Sequence, residues 1–387
     1  MTDRPRFHWF LPMHGDARYY GGDPAPRPAT PDYLRDVARA AEVNGFESLL
    51  LATGHGTRDT WLVGAAAAAA TETIRFIVAF RAGYTLPTLT AQMVDTFQQL
   101  FADRLDVNIV TGSDGPEQQA YGDDIAKDER YRRTAEFLSI LDSELAGRRF
   151  DFAGDHYRVR GGGRPRPVSR RPTIFFGGLS EEAAEVGAAY ADVQLMYGET
   201  PPMAAEHVER ISKLAARHGR EVEFGIRIQV ITRDTADEAW AETDRILARL
   251  TPEVVARRQR ELATRQSVGQ RRVQSLNPGV IDRDALRPYP TIWSGLGLVG
   301  GGGGSTALVG SHAEVADRIR EYVDVGISHF IVSGAPLLEE AHRFGEGVIP
   351  RFAADAAGDG TADDDVTGAA AGPAGDGRPA TGVGGRR

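Results

Sequence analysis

The fold of this chain is decided by the stretch Leu105-Asp106-Val107-Asn108-Ile109-Val110-Thr111-Gly112-Ser113-Asp114. Its first half is apolar enough for a buried strand, and its second half is a run of small polar residues. In a parallel barrel the carboxyl ends of the strands carry the chemistry. Hydrogen-bonding groups at that end of a strand therefore predict one wall of a site, and we expect Asn108 and Thr111 to contribute to it.

The composition is that of a globular protein and excludes several classes of function. The chain has 387 residues, of which 41% are hydrophobic and 26% are charged. Its formal net charge of −9 argues against nucleic acid or an anionic membrane as the main partner. The lack of cysteine excludes disulfides, iron–sulfur clusters and thiol catalysis. With no apolar signal core at the start and no apolar run of membrane-spanning length, we expect a cytoplasmic protein.

One domain boundary is visible near the end of the sequence. From about Ala353 the chain consists mostly of Ala, Gly, Asp, Pro and Thr, with almost no large apolar residues. Such a segment buries too little surface to offset the entropy lost on ordering. We therefore predict a single domain over residues 1–352 and a disordered tail over residues 353–387.

Within the predicted domain, strand-like and helix-like segments alternate. About eight βα units favour a (β/α)8 TIM barrel, in the α/β class, over an open sheet. Two helix starts, Thr235 with Glu238 and Ser311 with Glu314, fit capping boxes. The predicted strands are Phe7–Leu11, Ser48–Leu51, Ile74–Ala79, Leu105–Ile109, Ile174–Phe176, Val193–Met196, Phe224–Ile231 and Phe330–Val332.

Two segments interrupt this alternation. Phe150–Val159 reads as a hairpin with its turn at Gly154-Asp155. The segment from about 265 to 305 has weak periodicity and many Gly, Arg and Pro residues, which is typical of an active-site lid. Its Gly295–Gly300 part matches the G-x-G-x-x-G pattern of dinucleotide-binding folds. Because four further glycines follow where a helix would have to begin, we interpret it as a lid hinge instead.

The residues that follow the predicted strands do not favour hydrolysis. They are mostly His, Thr, Arg, Asn, Ser, Tyr and Gln, and the carboxylate pair that a glycosidase needs is not evident. The nine histidines are scattered, without the spacing of a metal site, so we expect no bound metal.

The end of the fifth predicted strand instead has the residues expected at a binding site for a flavin phosphate. Phe176-Gly177-Gly178-Leu179-Ser180 leads from a strand through two glycines to a serine that caps a helix. Amides at a helix N-terminus bind phosphate, and glycine allows the phosphate to approach the backbone. Tyr131, in Glu129-Arg130-Tyr131, could place its hydroxyl on the same phosphate. Taken alone, the glycine pair also fits a tight turn, and Tyr131 also fits a half-buried surface aromatic.

These segments resemble those of the alkanesulfonate monooxygenases, within the bacterial-luciferase-like family of FMNH2-dependent monooxygenases. The resemblance runs from Phe7 to about Phe352 and includes Phe10–Asp16, Asp59–Val63 and Phe224–Arg227. It implies an enzyme that receives reduced FMN from a separate NAD(P)H-dependent flavin reductase. With O2 the flavin would form a flavin peroxide that oxygenates a small-molecule substrate. Homo-oligomers of such barrels are also implied.

The resemblance also assigns site residues. Those expected at the cofactor are Thr57, Asn108, Thr111, Tyr131 and Ser180, with His14 near the flavin ring. Those expected to act in catalysis are Arg227, Gln229 and His14, and those expected at the substrate are Tyr197, Arg227, Gly300 and Ala335.

Several of these positions depart from the alkanesulfonate enzymes. Thr57 stands where they carry cysteine, and Gln229 stands where they carry histidine, so an acid–base role is lost there. Gly300 replaces the lid arginine, while Ala335 and Tyr197 replace a tyrosine and a tryptophan. We therefore expect a substrate that is bulkier or less anionic than a simple alkanesulfonate. Two alternatives stay open: a deazaflavin (F420)-dependent oxidoreductase of the same superfamily, and a flavin-binding protein without turnover.

Overall fold

The computed structural model describes residues 4–18, 27–112, 115–263, 267–298 and 305–353. Twelve strands and twelve α-helices occur in these ranges. The strands are β1 (Arg6–Phe10), β2 (Ser48–Leu51), β3 (Arg75–Arg81), β4 (Leu105–Val110), β5 (Phe150–Ala153), β6 (Arg158–Gly162), β7 (Ile174–Gly177), β8 (Val193–Tyr197), β9 (Glu223–Arg233), β10 (Ile292–Trp293), β11 (Ala307–Ser311) and β12 (Ile327–Ser333). The helices are α1 (Pro31–Val43), α2 (Thr60–Ala68), α3 (Pro87–Leu100), α4 (Gly115–Ala120), α5 (Lys127–Leu145), α6 (Glu181–Tyr190), α7 (Pro201–Arg217), α8 (Ala236–Leu247), α9 (Pro252–Ala263), α10 (Val268–Gln274), α11 (His312–Asp324) and α12 (Leu337–Gly347).

Eight parallel strands close into a barrel, in the order β1, β2, β3, β4, β7, β8, β9, β12 and back to β1. The predicted (β/α)8 fold is therefore confirmed, and every predicted strand overlaps one of the eight. Each barrel strand is buried on both faces, because one face lines the barrel interior and the other packs against the surrounding helices. The strand sequences are therefore nearly continuous apolar runs. All four residues of β2, for example, are buried.

Alternation along each strand separates the barrel interior from the helix-facing core. On β8, Leu195 belongs to the interior cluster, whereas Met196 packs into the outer core with the helices. The interior cluster forms one apolar layer across the barrel, and its largest side chains are Leu50, Ile77, Phe175, Leu195 and Ile331.

The two predicted capping boxes and the predicted hairpin are also confirmed. Thr235 and Ser311 each form a complete capping box with the glutamate three residues later. β5 and β6 pair as an antiparallel hairpin within the connection between β4 and β7.

The segment between β9 and β12 holds more regular structure than its sequence suggests. Residues 267–298 include α10, β10 and a short 3-10 turn over Gly295–Leu298. Trp293, Leu296 and Leu298 are buried against α8 and β11 in a core of their own. The described part of this segment is therefore a packed layer on the barrel. Its use as a lid stays a prediction.

Two further predictions fall outside the described residues. One is the role of Gly300. The other is the disordered tail over residues 353–387, of which the structure describes only residue 353. In the described ranges, no helix combines the length and the apolar character needed to cross a membrane.

Candidate active site

The predicted site residues that the structure describes gather at the carboxyl end of the barrel. Asn108, Tyr197, Arg227 and Gln229 lie on barrel strands. His14, Thr57, Thr111, Ser180 and Ala335 lie in the loops that follow strands, and Tyr131 lies in the first turns of α5. This end of the barrel, with its loops, is called the mouth below.

One side of the mouth is a small cradle formed by Gly178, Ser180 and Tyr131. Ser180 caps α6, and its hydroxyl accepts a hydrogen bond from the Ala183 amide at 3.3 Å. Gly178 has φ +146°, and a side chain there would come within 2.5 Å of Ala183 Cβ and 3.5 Å of the Tyr131 hydroxyl. Glycine is therefore required at this position, and the backbone stays open to a ligand.

The Tyr131 hydroxyl faces the same cradle. The ring is 8% exposed, and burial raises the pKa of Tyr131, opposed by its hydrogen bond with Ser180. The phenol therefore remains protonated near neutral pH and can donate a hydrogen bond to an anion. The predicted proximity of Tyr131 and Ser180 is thus found in the structure.

The neighbouring wall consists of the end of β4. Asn108 is half-buried on the interior face, in register with Ala79 of β3 and Phe175 of β7. Thr111 is 6% exposed, and its buried hydroxyl has no partner among the described residues. Arg130 holds the loop from α5 by donating to the Gly112 carbonyl at 3.2 Å. An unsatisfied buried hydroxyl is costly, so this wall suits a ligand that supplies the missing hydrogen bond.

The opposite wall is a hydrogen-bonded group on β9 and β12. Arg227 Nη2 donates to Ser333 Oγ at 2.7 Å, and Ser333 Oγ donates to Gln229 Oε1 at 2.6 Å. The guanidinium also lies 4.7 Å from the centre of the Phe10 ring and donates to the Ile228 carbonyl at 2.9 Å. These contacts fix a permanent positive charge at the mouth, in one orientation.

Ser333 and Phe10 were not among the site residues predicted from the sequence. Both obey the strand-end rule that indicated the other residues, because each is the last residue of a barrel strand. The predicted eighth strand stopped at Val332, one residue before Ser333. Phe10 is apolar, so it carries no chemical signal in the sequence.

Thr57 and His14 lie in the loops after β2 and β1, respectively. Thr57 is half-buried, and its hydroxyl donates to the Gly54 carbonyl at 2.8 Å and accepts from the Gly54 amide at 3.1 Å. That hydroxyl already closes its own loop. His14 is exposed in the loop after β1. Their roles at a cofactor remain predictions.

A cavity of about 470 Å³ adjoins the mouth next to Ala335. Two of its arginines pair with two of its carboxylates: Arg27 donates to Glu339 at 2.7 Å, and Arg233 donates to Glu340 at 3.0 Å. Burial raises the pKa of Glu340, although the neighbouring arginines oppose this effect. The cavity is therefore polar, with positive and negative groups interleaved.

The cradle and the β4 wall offer groups that could hold a flavin with a phosphate. The cradle offers a helix N-terminus, a glycine and a phenol to a phosphate, while Thr111 offers an unsatisfied hydroxyl to a ring. No group of three or more His, Asp or Glu side chains that could hold a metal ion occurs in the ranges described.

Known proteins share this family profile and this fold. The profile of the luciferase-like monooxygenase family matches residues 5–329. Among solved structures, riboflavin lyase (RcaE), determined with modified FMN and riboflavin, has a TM-score of 0.74 at 21% identity and covers 91% of this chain and 92% of its own.

Two further structures share the fold. EDTA monooxygenase (EmoA) from Chelativorans sp. BNC1 has a TM-score of 0.71 at 16% identity, covering 91% of this chain and 94% of its own. An F420-dependent secondary alcohol dehydrogenase has a TM-score of 0.63 at 16% identity, covering 89% and 98%. At such identities these structures show a shared fold and nothing finer.

Proposed function

This chain belongs to the luciferase-like monooxygenase family, and we propose that it is a two-component monooxygenase that uses reduced FMN and O2 to oxygenate a small organic substrate. The observation that carries the proposal is the buried Thr111 hydroxyl without a partner among the described residues, at the same end of the barrel as the phosphate-type cradle and the fixed Arg227 guanidinium. The three features face one barrel mouth, which is where a flavin would need them.

In this proposal FMN binds to the cradle and to the neighbouring wall at the end of β4. Gly178, Ser180 and Tyr131 would hold the phosphate, and Asn108 and Thr111 would hold the ring. The bound reduced flavin supplies the electrons with which O2 is activated. Below the mouth, the apolar layer that includes Phe175 and Ile331 keeps water from reaching the ring through the barrel.

Arg227 provides the positive charge of the reaction. Its orientation is set by Ser333 and Phe10, so no reorganisation is needed when negative charge develops on an oxygen in front of it. Gln229 cannot exchange a proton at neutral pH. Its role is to accept the Ser333 hydrogen bond and so to orient the hydroxyl that holds Arg227.

The reduced flavin is proposed to come from a separate NAD(P)H-dependent flavin reductase. The G-x-G-x-x-G match in this chain does not support a nicotinamide site of its own. Its described part, Gly295–Leu298, is a buried 3-10 turn after β10 rather than the start of an α-helix.

We propose further that the substrate is bulkier or less anionic than a simple alkanesulfonate. Ala335 leaves space at the rim of the adjoining cavity, and the arginines Arg27 and Arg233 of that cavity are bound to its own carboxylates. Neither arginine is then available at low cost to a sulfonate.

The test couples the purified protein to a flavin reductase, NADH and FMN, and follows O2 uptake, H2O2 release and product oxygenation. The substrate panel contains alkanesulfonates of increasing chain length, assayed by sulfite release, and uncharged alkanes and thioethers. We expect oxygenated product from the larger or uncharged members. Arg227→Ala should lower turnover about 100-fold, whereas Arg217→Ala, an exposed control on α7, should not change it.

Three outcomes would contradict the proposal. Binding of F420 without binding of FMN would indicate the deazaflavin enzyme. Tight FMN binding with H2O2 as the only product across the panel would indicate a flavin-binding protein. Efficient sulfite release from the shortest alkanesulfonates would refute the proposed substrate preference.

A further inference from the structure

The loop after β8 is held by contacts from the segment between β9 and β12. In Tyr197-Gly198-Glu199, the Gly198 carbonyl accepts a hydrogen bond from Thr306 Oγ1 at 2.6 Å, and the Glu199 carbonyl accepts one from the Tyr322 hydroxyl. Thr306 precedes β11 and Tyr322 lies on α11. The loop is thus fixed from outside the barrel by a segment far along the chain.

The third contact comes from α10 and involves a buried charge. Glu199 is fully buried, and Arg272 binds both of its carboxylate oxygens, with Nε at 2.8 Å from Oε1 and Nη2 at 2.9 Å from Oε2. Glu206 of α7 lies 3.6 Å from the same guanidinium. A bidentate pair fixes orientation as well as distance, and a buried carboxylate without its partner is strongly disfavoured.

One turn earlier, α10 touches the Tyr197 ring directly. A Cβ atom at Gly269 would lie 3.0 Å from Tyr197 Cδ2 and 3.3 Å from Leu179 Cδ1. Glycine therefore lets the helix approach both the mouth tyrosine and the loop that leads to Ser180. Tyr197 is in register with Arg227 of β9 and follows the interior residues Val193 and Leu195 at every second position, so its ring lies on the interior face at the mouth.

We propose that α10 positions Tyr197, through the Arg272–Glu199 ion pair and the close contact at Gly269, and that Arg272 and Gly269 are thereby specificity-determining positions. The claim rests on the proposed function, in which Tyr197 lines the substrate side of the mouth. Arg272 touches neither substrate nor flavin in this arrangement. It is a positioning residue, which acts through Glu199.

The test observes Tyr197 itself, with 3-fluorotyrosine placed at position 197 and read by ¹⁹F NMR. Arg272→Ala should shift and broaden the resonance in protein that remains folded by near-UV circular dichroism, because the ring loses its fixed neighbour. Arg272→Lys should restore part of the original signal, because it keeps the charge but not the bidentate geometry. In the reductase-coupled assay, the ratio of kcat/KM between a larger and a smaller accepted substrate should change about fivefold in Arg272→Ala.

Two matched variants separate positioning from stability. Arg271→Ala removes the same charge from the exposed face of the same helix and should leave the resonance unchanged. Gly269→Ala keeps the ion pair and adds one methyl group against the ring, so it should move the resonance even where Arg272→Ala fails to fold.

An Arg272→Ala protein that is less stable to urea but keeps the wild-type Tyr197 resonance would overturn the inference. So would a wild-type resonance in Gly269→Ala. Because the ¹⁹F comparison needs no bound flavin, it still decides the role of α10 if FMN does not bind, an outcome that would refute the proposed function alone.

Discussion

The two ends of the barrel interior are both polar, but their polar groups have different partners. Toward the amino ends of the strands, a hydrogen-bonded chain runs from Ser48 through His8 and His329 to Glu223. Its three distances are 2.6, 2.9 and 3.0 Å, and the two imidazole rings stack 5.1 Å apart. None of these four side chains has a buried polar atom without a partner in the described structure.

At the mouth, on the other side of the apolar layer, the polar groups are fixed but not all are satisfied. Arg227, Ser333 and Gln229 bind one another, whereas the buried Thr111 hydroxyl has no partner in the described part of the chain. A closed network specifies structure, while an unsatisfied group beside an open mouth favours a ligand. Polarity inside a barrel therefore indicates a site only where hydrogen-bonding capacity remains.

The largest expected effect is on folding, at the amino end. Asp106 accepts from Arg75 at 2.8 Å and from the Thr173 amide at 2.8 Å. Burial acts to raise its pKa, but the hydrogen bond and charge of Arg75 hold the pKa of Asp106 below its usual value. Asp106→Ala leaves Arg75 without its carboxylate and should cost about 3–5 kcal/mol of unfolding free energy, measured in urea.

The matched control is Asp142→Ala, which removes a carboxylate from an exposed pair with Arg148 and should cost less than about 1 kcal/mol. If the Asp106 variant folded stably but lost FMN binding, the division between a structural end and a binding end would be wrong.

The second effect is a pH dependence of stability, which arises from two buried histidines: His8 at the amino end and His207 on α7. Burial, reinforced by the charges of His329 and Arg6, lowers the pKa of His8 well below 6.5. Burial also lowers the pKa of His207 to about 3. In the unfolded chain both take up a proton near pH 6.5, so the unfolded state binds more protons below that pH. The unfolding free energy should therefore fall as the pH drops below 6.5, by up to about 1.4 kcal/mol per pH unit for each histidine.

His8→Gln should remove one such contribution from the slope between pH 6.5 and pH 5, whatever its effect on the stability at pH 7. An unchanged slope in His8→Gln would show that His8 is protonated in the folded protein, contrary to the effect of its burial.

The contrast between the ends also explains what the sequence predicts and what it does not. The strand-end rule indicated Asn108 and Thr111 because residues at strand ends are adjacent in any parallel barrel, whereas Arg227 was indicated by the family resemblance. The chain of Ser48, His8, His329 and Glu223 depends on the register of four strands, which no local pattern encodes. The packed layer over residues 267–298 was missed because its buried Trp293 and Leu298 stand among glycines and arginines, without helical or strand periodicity.

The third effect belongs to the mouth and should separate binding from stability. Thr111→Val removes a buried hydroxyl that has no partner among the described residues, at nearly constant volume. We expect the flavin-free protein to keep its unfolding free energy or to gain up to about 1 kcal/mol. The affinity for both FMN and riboflavin should fall about tenfold, which corresponds to about 1.4 kcal/mol.

Thr71→Val is the control, because that buried hydroxyl donates to the Ala67 carbonyl at 3.0 Å and accepts from Arg104 at 3.1 Å. It should lose about 1 kcal/mol of stability and leave flavin affinity unchanged. Equal loss of stability in both threonine variants would mean that Thr111 is satisfied in the folded protein, and the contrast between the ends would disappear.

The smallest expected effect is on FMN affinity, and it tests whether Tyr131 binds the phosphate or the ring of the flavin. Tyr131→Phe removes a phenol that faces the Gly178 cradle, where a phosphate would accept its hydrogen bond. FMN affinity should fall about threefold, which is roughly the net contribution of one hydrogen bond. Riboflavin has the same ring and no phosphate, so its affinity should stay constant. Tyr190→Phe, at the opposite end of α6, should change neither. A matched loss of riboflavin affinity in Tyr131→Phe would place the phenol on the ring, and Ser180 would then have to hold the phosphate without it.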